Sequence, residues 1–546
     1  MERRATGPAD EAAAAEAASN GRMMRESGKL SGLTMASRVL GLIREMTRAA
    51  LMGTGTLAEA FTVAFTTPNF LRRLFAEGSM ATALIPTMRG YFAAGDDRET
   101  EEFLSATFSA FVYAVALVVA AGVAMAGPIA AGFAAVAREG TAVDAAETAA
   151  LMRIMFPFLA LVSVAAFLQG ILNAHDRFGP SGFAPILFNL SFILLPYLIG
   201  PWALNPARAM AIAVVFGGFL QAVCQLPAVV RLGVRFKLVS PRRAWSNPGM
   251  RRVMALIAPT IVGMAAYELN GLVSTALANA SGAATSISFS LRLQELILGV
   301  FVVSIGTVLL PALSGLYAKR EGEAFVRRLF GAVDVVLLIT VPMAAFSIAA
   351  RVDIVAVLFK SGAFGDDSVA RTAEAFFYHS WGLPFIGLHR ILAPAFYARG
   401  DTRRPASAGV AAVVVNMALA VALSAFMGGG GIALALSAAS AAHAAILVAL
   451  LTRSRLPGVK KALISSLFYA FKLGAFSIAA TAAVLALRAP LRAAFGASGS
   501  RLVAHGLPLA LSALVFGAVG AACLALSRDT VAAGLVGSFV RRGRRG

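Results

Sequence analysis

Wound as a helix at 100° per residue, the stretch 29–53 sorts its residues by side. Arg38, Arg44, Glu45 and Arg48 fall within one arc of about 120°, shared with Thr34, Ser37 and Gly41. Leu33, Met35, Val39, Leu40, Leu42, Ile43 and Met46 occupy the rest. The stretch is long enough to cross a bilayer, which takes about 20 residues. An Arg near the bilayer centre costs about 2.5–3.5 kcal/mol, so three of them facing lipid would be hard to sustain. The pattern therefore predicts a spanning helix whose charged side lines an internal cavity. For this stretch taken alone, a helix lying flat on the membrane surface is the alternative.

Apolar runs of similar length recur and predict helical spans at 29–53, 57–92, 103–126, 148–173, 182–203, 208–232, 253–278, 285–316, 329–350, 370–398, 406–427, 430–452, 463–487 and 503–527. These are about fourteen spans, which makes the chain an all-α polytopic membrane protein. Connections after even-numbered spans are basic, as with Arg235, Lys237, Arg242 and Arg243, or Arg399, Arg403 and Arg404, while 54–56, 281–284 and 428–431 carry no Lys or Arg. The positive-inside rule then puts both termini in the cytoplasm.

The pattern also repeats. Ser79, Thr82, Leu84 and Pro86 recur as Ser304, Thr307, Leu309 and Pro311, and Asp176 and Pro180 recur as Asp401 and Pro405, all at an offset of 225 residues. Six spans separate equivalents, an even number, so the two halves share one orientation and form a parallel repeat. The expected organisation is a disordered tail (1–28), a six-helix lobe (29–233), a basic linker (234–250), a second six-helix lobe (251–455), a C-terminal helix pair (456–527) and a basic tail (528–546). A substrate path at the interface of two such lobes is the usual arrangement.

Composition agrees with the pattern: of 546 residues, 58% are hydrophobic and 14% charged, too apolar for a soluble multidomain chain. The net charge of +20 sits in short connections rather than on one soluble domain, so membrane orientation accounts for it better than nucleic-acid binding. Cys224 and Cys523 are the only cysteines, which leaves no disulfide framework and no CxxC metal site. No GxxxxGK[ST] phosphate loop occurs, and the five histidines lack metal-ligand spacing. The chain therefore reads as a transporter without cofactor, not an enzyme.

Charges inside the spans carry the candidate chemistry. Glu59, Arg72 and Arg73 lie on the second span, which Thr67-Pro68-Asn69 interrupts. Arg292 and Glu295, at i and i+3 on the eighth span, can pair on one face. Arg38, Arg44, Arg72 and Arg292 suit an anion, above all a phosphate or pyrophosphate, because the planar guanidinium donates bidentate hydrogen bonds and stays ionised. Two readings stand open: these arginines bind such a ligand, or they pair with Glu45, Glu59 and Glu295 to hold the lobes together. Arg48 reads as a snorkelling or paired residue, Arg73 as a headgroup contact and Lys472 as an interfacial anchor. Glu268 and Asn416, polar residues in apolar spans, are candidates for binding a coupling proton or cation, or for hydrogen-bonded packing.

The segments SRVLGLIRE (37–45), EAFTVAFTTPNFLRRLFAEG (59–78), SFSLRLQELILGVFVVSIGTVLLPALS (288–314), VLFKSGAFGDDS (357–368) and AFYARGDTRRP (395–405) resemble the MurJ (MviN) family of lipid II flippases, within the multidrug and oligosaccharidyl-lipid exporters. The resemblance extends over nearly all the spans. It implies that Arg38, Arg44, Arg72 and Arg292 line a central cationic cavity between two V-shaped lobes, and that the last two helices form a groove for the polyprenyl tail. Glu45 and Glu59 stand where relatives often carry Asp, and Leu291 where some carry Asp. The implied activity is translocation of lipid II to the periplasmic leaflet of the bacterial inner membrane by alternating access, driven by membrane potential or an ion gradient. The implied partners are lipid II and the membrane, with cell-wall synthesis proteins as candidates. A related exporter of drugs or other polyprenyl-linked oligosaccharides, a non-transporting scaffold and an intramembrane enzyme are the rival readings.

Overall fold

A helix lies over each predicted span in the computed structural model, which describes residues 32–74, 84–138, 141, 143–454 and 456–543; none of these residues is in a strand. Ser79 and Thr82 of the repeat, the 1–28 tail and residues 544–546 lie outside the described residues. The first half holds α1 (32–52), α2 (Thr56–Arg72), α3 (Ile85–Ala94), α4 (Asp97–Ala135), α5 (Ala145–Ala174), α6 (Phe178–Ile199), α7 (Pro206–Val223), α8 (Leu226–Arg231) and α9 (Pro241–Ser246). After it come α10 (Pro248–Ala280), α11 (Ala284–Ala318), α12 (Gly322–Phe359), α13 (Asp366–Ser380), α14 (Leu383–Tyr397), α15 (Arg403–Thr452), α16 (Val459–Phe495), α17 (Leu507–Leu526) and α18 (Thr530–Gly543). Eight of the described helices are long and apolar enough to cross a membrane.

Local chemistry explains where the helices differ from the predicted spans. α2 runs through Pro68 to Arg72 rather than breaking there. The predicted spans 406–427 and 430–452 are the two helices of α15, which meet at a kink at Gly428, whose non-helical φ of 55° is open to glycine. The 370–398 span is two helices separated at Trp381 and Gly382, and the basic tail is helical over Thr530–Gly543. The repeat shows in helix starts: α4 and α12 begin at Asp97 and Gly322, and α6 and α15 at Phe178 and Arg403, each pair 225 residues apart. Gly95 and Arg320, at the same offset, both take the left-handed conformation that ends a helix.

Two compact units make up the chain. Unit one comprises residues up to Arg48, Val63–Gly132 and Asp144–Glu268; unit two comprises Ala49–Thr62, Phe133–Val143 and Leu269 onward. In unit one, α7 packs against α5 and α6. Gly217 and Gly218 permit this, because a Cβ on either would stand 2.7 Å from the rings of Phe188 and Phe158 respectively. The basic segment 234–240 is strapped along α4. Ser105 Oγ accepts from Lys237 N (3.1 Å), Ser109 Oγ from Val239 N (2.8 Å), and Tyr113 donates to Val239 O (2.9 Å). These three acceptors and donors lie four residues apart on one face of the helix. The Phe236 ring, 4.8 Å from Phe108 and 5.5 Å from Phe167, closes the strap.

Unit two builds its apolar core from α11, α12, α14, α15 and α16, with Phe325, Leu329, Val336, Leu383, Ile391, Phe396, Leu447 and Leu473 fully or nearly buried. Two left-handed glycines interlock the chain after α1 with the turn between α12 and α13. A Cβ on Gly53 (φ 59°) would stand 2.4 Å from Ala363 O, and one on Gly362 (φ 55°) 2.3 Å from Ala50 O. Ala363 N donates to Ala50 O (2.8 Å) across the same contact. Gly362→Ala is expected to lower the melting temperature of the detergent-purified protein well beyond Gly233→Ala. Gly233 has a similar φ and nothing within 4 Å of its Cβ position, so it bears only the left-handed cost of about 1–2 kcal/mol. Equal shifts would show that the interlock contributes nothing.

Candidate functional site

The first helix buries its later charges and exposes its earlier one, Arg38. Met35 and Val39 are more than half exposed and Ile43 is exposed too, while Glu45 and Arg48, two and five residues past Ile43, are buried. Over 43–48 this is the reverse of a water-soluble helix.

Arg44 is held on three sides within unit one. Its Nη2 donates to Glu45 Oε1 (2.8 Å), its Nη1 donates to Asn189 Oδ1 on α6 (3.1 Å), and its Cζ lies 5.7 and 5.5 Å from the Phe188 and Phe192 rings. Asn189 also donates through Nδ2 to Ser37 O (3.1 Å), so one amide fixes both the helix and its arginine. Glu45 is shared: Arg48 Nε lies 3.4 Å from Oε2. Arg48 thus takes the paired role of its two expected ones. Asn189 was not among the predicted residues; its signal in the sequence is a single amide in the apolar run 182–203, where an unsatisfied polar group would be costly. Arg38, six residues earlier, is exposed.

On α2, Arg72 Nε donates to Asn69 Oδ1 (2.9 Å), one turn back. Arg73 reaches α10, where its Nη1 stands 3.2 Å from Glu268 Oε1 and 3.3 Å from Oε2. The lone carboxylate is therefore an ion-pair partner, and Arg73 faces it rather than only headgroups. Glu268 is mostly buried, so the pair is less screened by water than a surface pair.

In unit two, Glu59 is buried and accepts from two consecutive backbone amides, Ala284 N and Thr285 N, each at 2.9 Å. These are the first amides of α11, whose Ala283 cap offers no side-chain acceptor. Thr62 Oγ1, one turn after Glu59, meets Thr285 Oγ1 at 2.9 Å. Glu59 thus anchors a helix start. Arg292 and Glu295, further along α11, form the predicted i, i+3 pair at 2.8 Å, with both side chains exposed. Such an i, i+3 pair is worth only a few tenths of a kcal/mol. Asn416 is buried and donates to Asn270 Oδ1 (2.9 Å) and Ser274 Oγ (3.3 Å) on α10, whereas its own Oδ1 has no partner among the described residues.

The geometry separates the predicted residues into kinds. Arg44 is a braced guanidinium, Arg292 one half of an exposed i, i+3 pair, and Glu59 a helix anchor. Glu268 and Asn416 belong to different clusters, one ionic and one of neutral amides.

Comparison with known proteins places the chain in a family. The family model for lipid II flippase MurJ matches residues 48–496. A probable lipid II flippase MurJ of Treponema pallidum (strain Nichols) is 40% identical over 514 residues, covering 92% of this chain and 95% of the relative. The fold matches a solved structure of lipid II flippase MurJ in an inward closed conformation, with a TM-score of 0.73 at 20% identity, over 92% of this chain and 99% of that one. It also matches an inward-facing multidrug resistance MATE family transporter of the MOP superfamily, with a TM-score of 0.61 at 14% identity, over 79% of this chain and 98% of that one. This multi-pass membrane protein belongs to the lipid II flippase MurJ family, whose members are transporters rather than enzymes.

Proposed function

We propose that this chain moves lipid II from the cytoplasmic to the periplasmic leaflet of the bacterial inner membrane by alternating access. Family membership supports lipid II as the substrate. The buried charges of α1, with Arg44 braced by Glu45 and Asn189, are the observation that carries the mechanism. Arg38, Arg44, Arg72 and Arg292 take the pyrophosphate of the head group, since guanidinium forks match phosphate oxygens bidentately. The polyprenyl tail stays in the bilayer against α16 and α17, whose Phe468, Phe471 and Leu514 are exposed. Both termini are cytoplasmic, as the basic connections require.

The sequence has no nucleotide-binding loop, and a charge moved through the membrane potential gains about 2.3 kcal/mol per 100 mV, so the potential or an ion gradient resets the cycle. We assign the coupling cation to Asn416, whose unpartnered buried Oδ1 offers an oxygen ligand beside Asn270 and Ser274. Glu268, held by Arg73, serves that pair instead of the cation.

Complementation of a flippase-depleted bacterium tests the proposal, with periplasmic exposure of lipid II as the readout. Arg292→Ala and Arg38→Ala, both at exposed positions, are expected to lower exposure by at least about tenfold while the protein still inserts, the worth of one charge-assisted hydrogen bond. Wild-type exposure in both variants would defeat the assignment of the arginines. Unchanged exposure after collapse of the membrane potential and ion gradients would defeat the coupling.

A further inference from the structure

Away from the residues assigned to the lipid II head, three pieces of unit two meet: the C-terminal turns of α12, those of α16, and the five-residue π turn Leu502–Gly506 that leads into α17. His505 Nδ1 lies 2.9 Å from Asp353 Oδ1, which fastens the π turn to α12. Arg351 donates to Ile348 O (2.8 Å) and stacks its guanidinium 5.1 Å from the Phe377 ring. Arg488, on α16, stands within Coulombic reach of Arg351, Asp353 and Arg492. Arg492 lies one turn beyond Arg488 on α16, and Asp353, the carboxylate that acts on Arg488, is already engaged by His505.

Arg488 Nε is buried and has no hydrogen-bond partner among the described residues. Nor does any described carboxylate come within ion-pair distance of Arg488 or Arg492. The neighbouring cations are committed elsewhere: Lys360 Nζ pairs with Asp366 (2.6 Å), and Arg501 Nη1 donates to Lys360 O (3.2 Å). A buried guanidinium N–H left unpaired beside like charges is unfavourable on two counts, desolvation and repulsion. Both are relieved by an anion. Leu485 on α16, Leu502 on the π turn and Leu507 at the start of α17 are exposed, so an apolar chain attached to that anion would find a surface to lie on. Single π turns are also over-represented at functional sites.

We propose that this cluster is a second phosphate site, one that takes the phosphate of a lipid, either a phospholipid headgroup or a polyprenyl diphosphate. Arg488 and Arg492 supply the donors and Arg351 the third charge. On the orientation proposed above, this end of unit two faces the periplasmic leaflet; that placement, unlike the site itself, rests on the flippase reading.

Lipid retention by the purified full-length protein in phosphatidylcholine nanodiscs, read by native mass spectrometry, tests it. Phosphatidylglycerol, undecaprenyl diphosphate and inorganic pyrophosphate are the separate probes. At least one lipid probe is expected to bind the wild type, and about tenfold more weakly to Arg488→Gln and to Arg492→Gln. Arg492 is exposed, so its replacement keeps the test valid should Arg488→Gln fail to fold. The tighter of the two lipids names the source. Retention equal in wild type and both variants would overturn the site, and binding of inorganic pyrophosphate without either lipid would overturn its lipid character. Neither readout measures translocation, so the flippase reading can fail or stand independently.

Discussion

Replacing Lys472 with Met is expected to cost the folded protein about 3–5 kcal/mol, because it strands a carboxylate where water does not reach. The carboxylate is that of Asp529, whose side chain is only 2% exposed. Lys472 Nζ lies 2.7 Å from Oδ2, the Tyr469 hydroxyl donates to Oδ1 at 3.2 Å, and Ala532 N, in the first turn of α18, donates to Oδ1 at 2.9 Å. Burial alone would raise the Asp529 pKa, but Lys472, the Ala532 amide and Tyr469 together hold it below the usual carboxylate range. A depressed folded pKa means that the group stabilises the protein above its unfolded value of about 3.9 and loses that contribution as pH falls through the folded value. Wild type should therefore hold its melting temperature from pH 7 to pH 5. With Lys472 gone, burial dominates and the carboxyl takes a proton more readily, so Lys472→Met should recover stability on the same acidification. Asp529→Asn added to Lys472→Met should also be milder than Lys472→Met alone. A Lys472→Met protein that melts with wild type at pH 7 would show that the lysine is only the interfacial anchor its position in the sequence suggests.

Glu59→Ala is expected to be the next most damaging change, at about 2–4 kcal/mol, since it removes the acceptor from two buried amides at once. Those amides begin α11, and the charge of Glu59 also lies at the positive end of that helix dipole. Glu59→Gln keeps one acceptor oxygen and should recover part of the loss. The functional consequence follows along the helix: Arg292 stands two turns beyond Thr285, so a frayed start would shift it. We expect Glu59→Ala to lower both melting temperature and lipid II exposure, and Glu59→Gln to lower each less. Wild-type stability in Glu59→Ala would remove the helix-anchoring role.

Helices and repeat were legible in the sequence because both are written locally. An apolar run of bilayer length needs no distant partner to be recognised, and the helix starts at Asp97 and Gly322 keep the offset seen in Asp176 and Asp401. The burial of Glu45 and Arg48 on one side of α1 follows the same local pattern. What the pattern does not encode is which distant charges meet. Glu59 with the α11 amides, Arg73 with Glu268 and Lys472 with Asp529 join residues far apart in sequence, and each carboxylate has several cations at plausible spacing. Glu59 consequently reads as a cavity charge in sequence and as a helix anchor in three dimensions. Lys472 looks like an anchor because its partner lies beyond the last apolar run. Asn189 was there to be found, as a lone amide among apolar neighbours, but only its contact with Arg44 says what it does.

The strap along α4 changes how the basic connection before α10 should be handled at the bench. Seven residues of it are stitched to a helix by two serines, a tyrosine and a phenylalanine, so trypsin meets anchored backbone at Arg235 and Lys237 despite their exposed side chains. A reporter or epitope inserted there would tear out stitches. The exposed loop tip at Gly458, with its left-handed backbone and open surroundings, is the more forgiving place to cut the chain open.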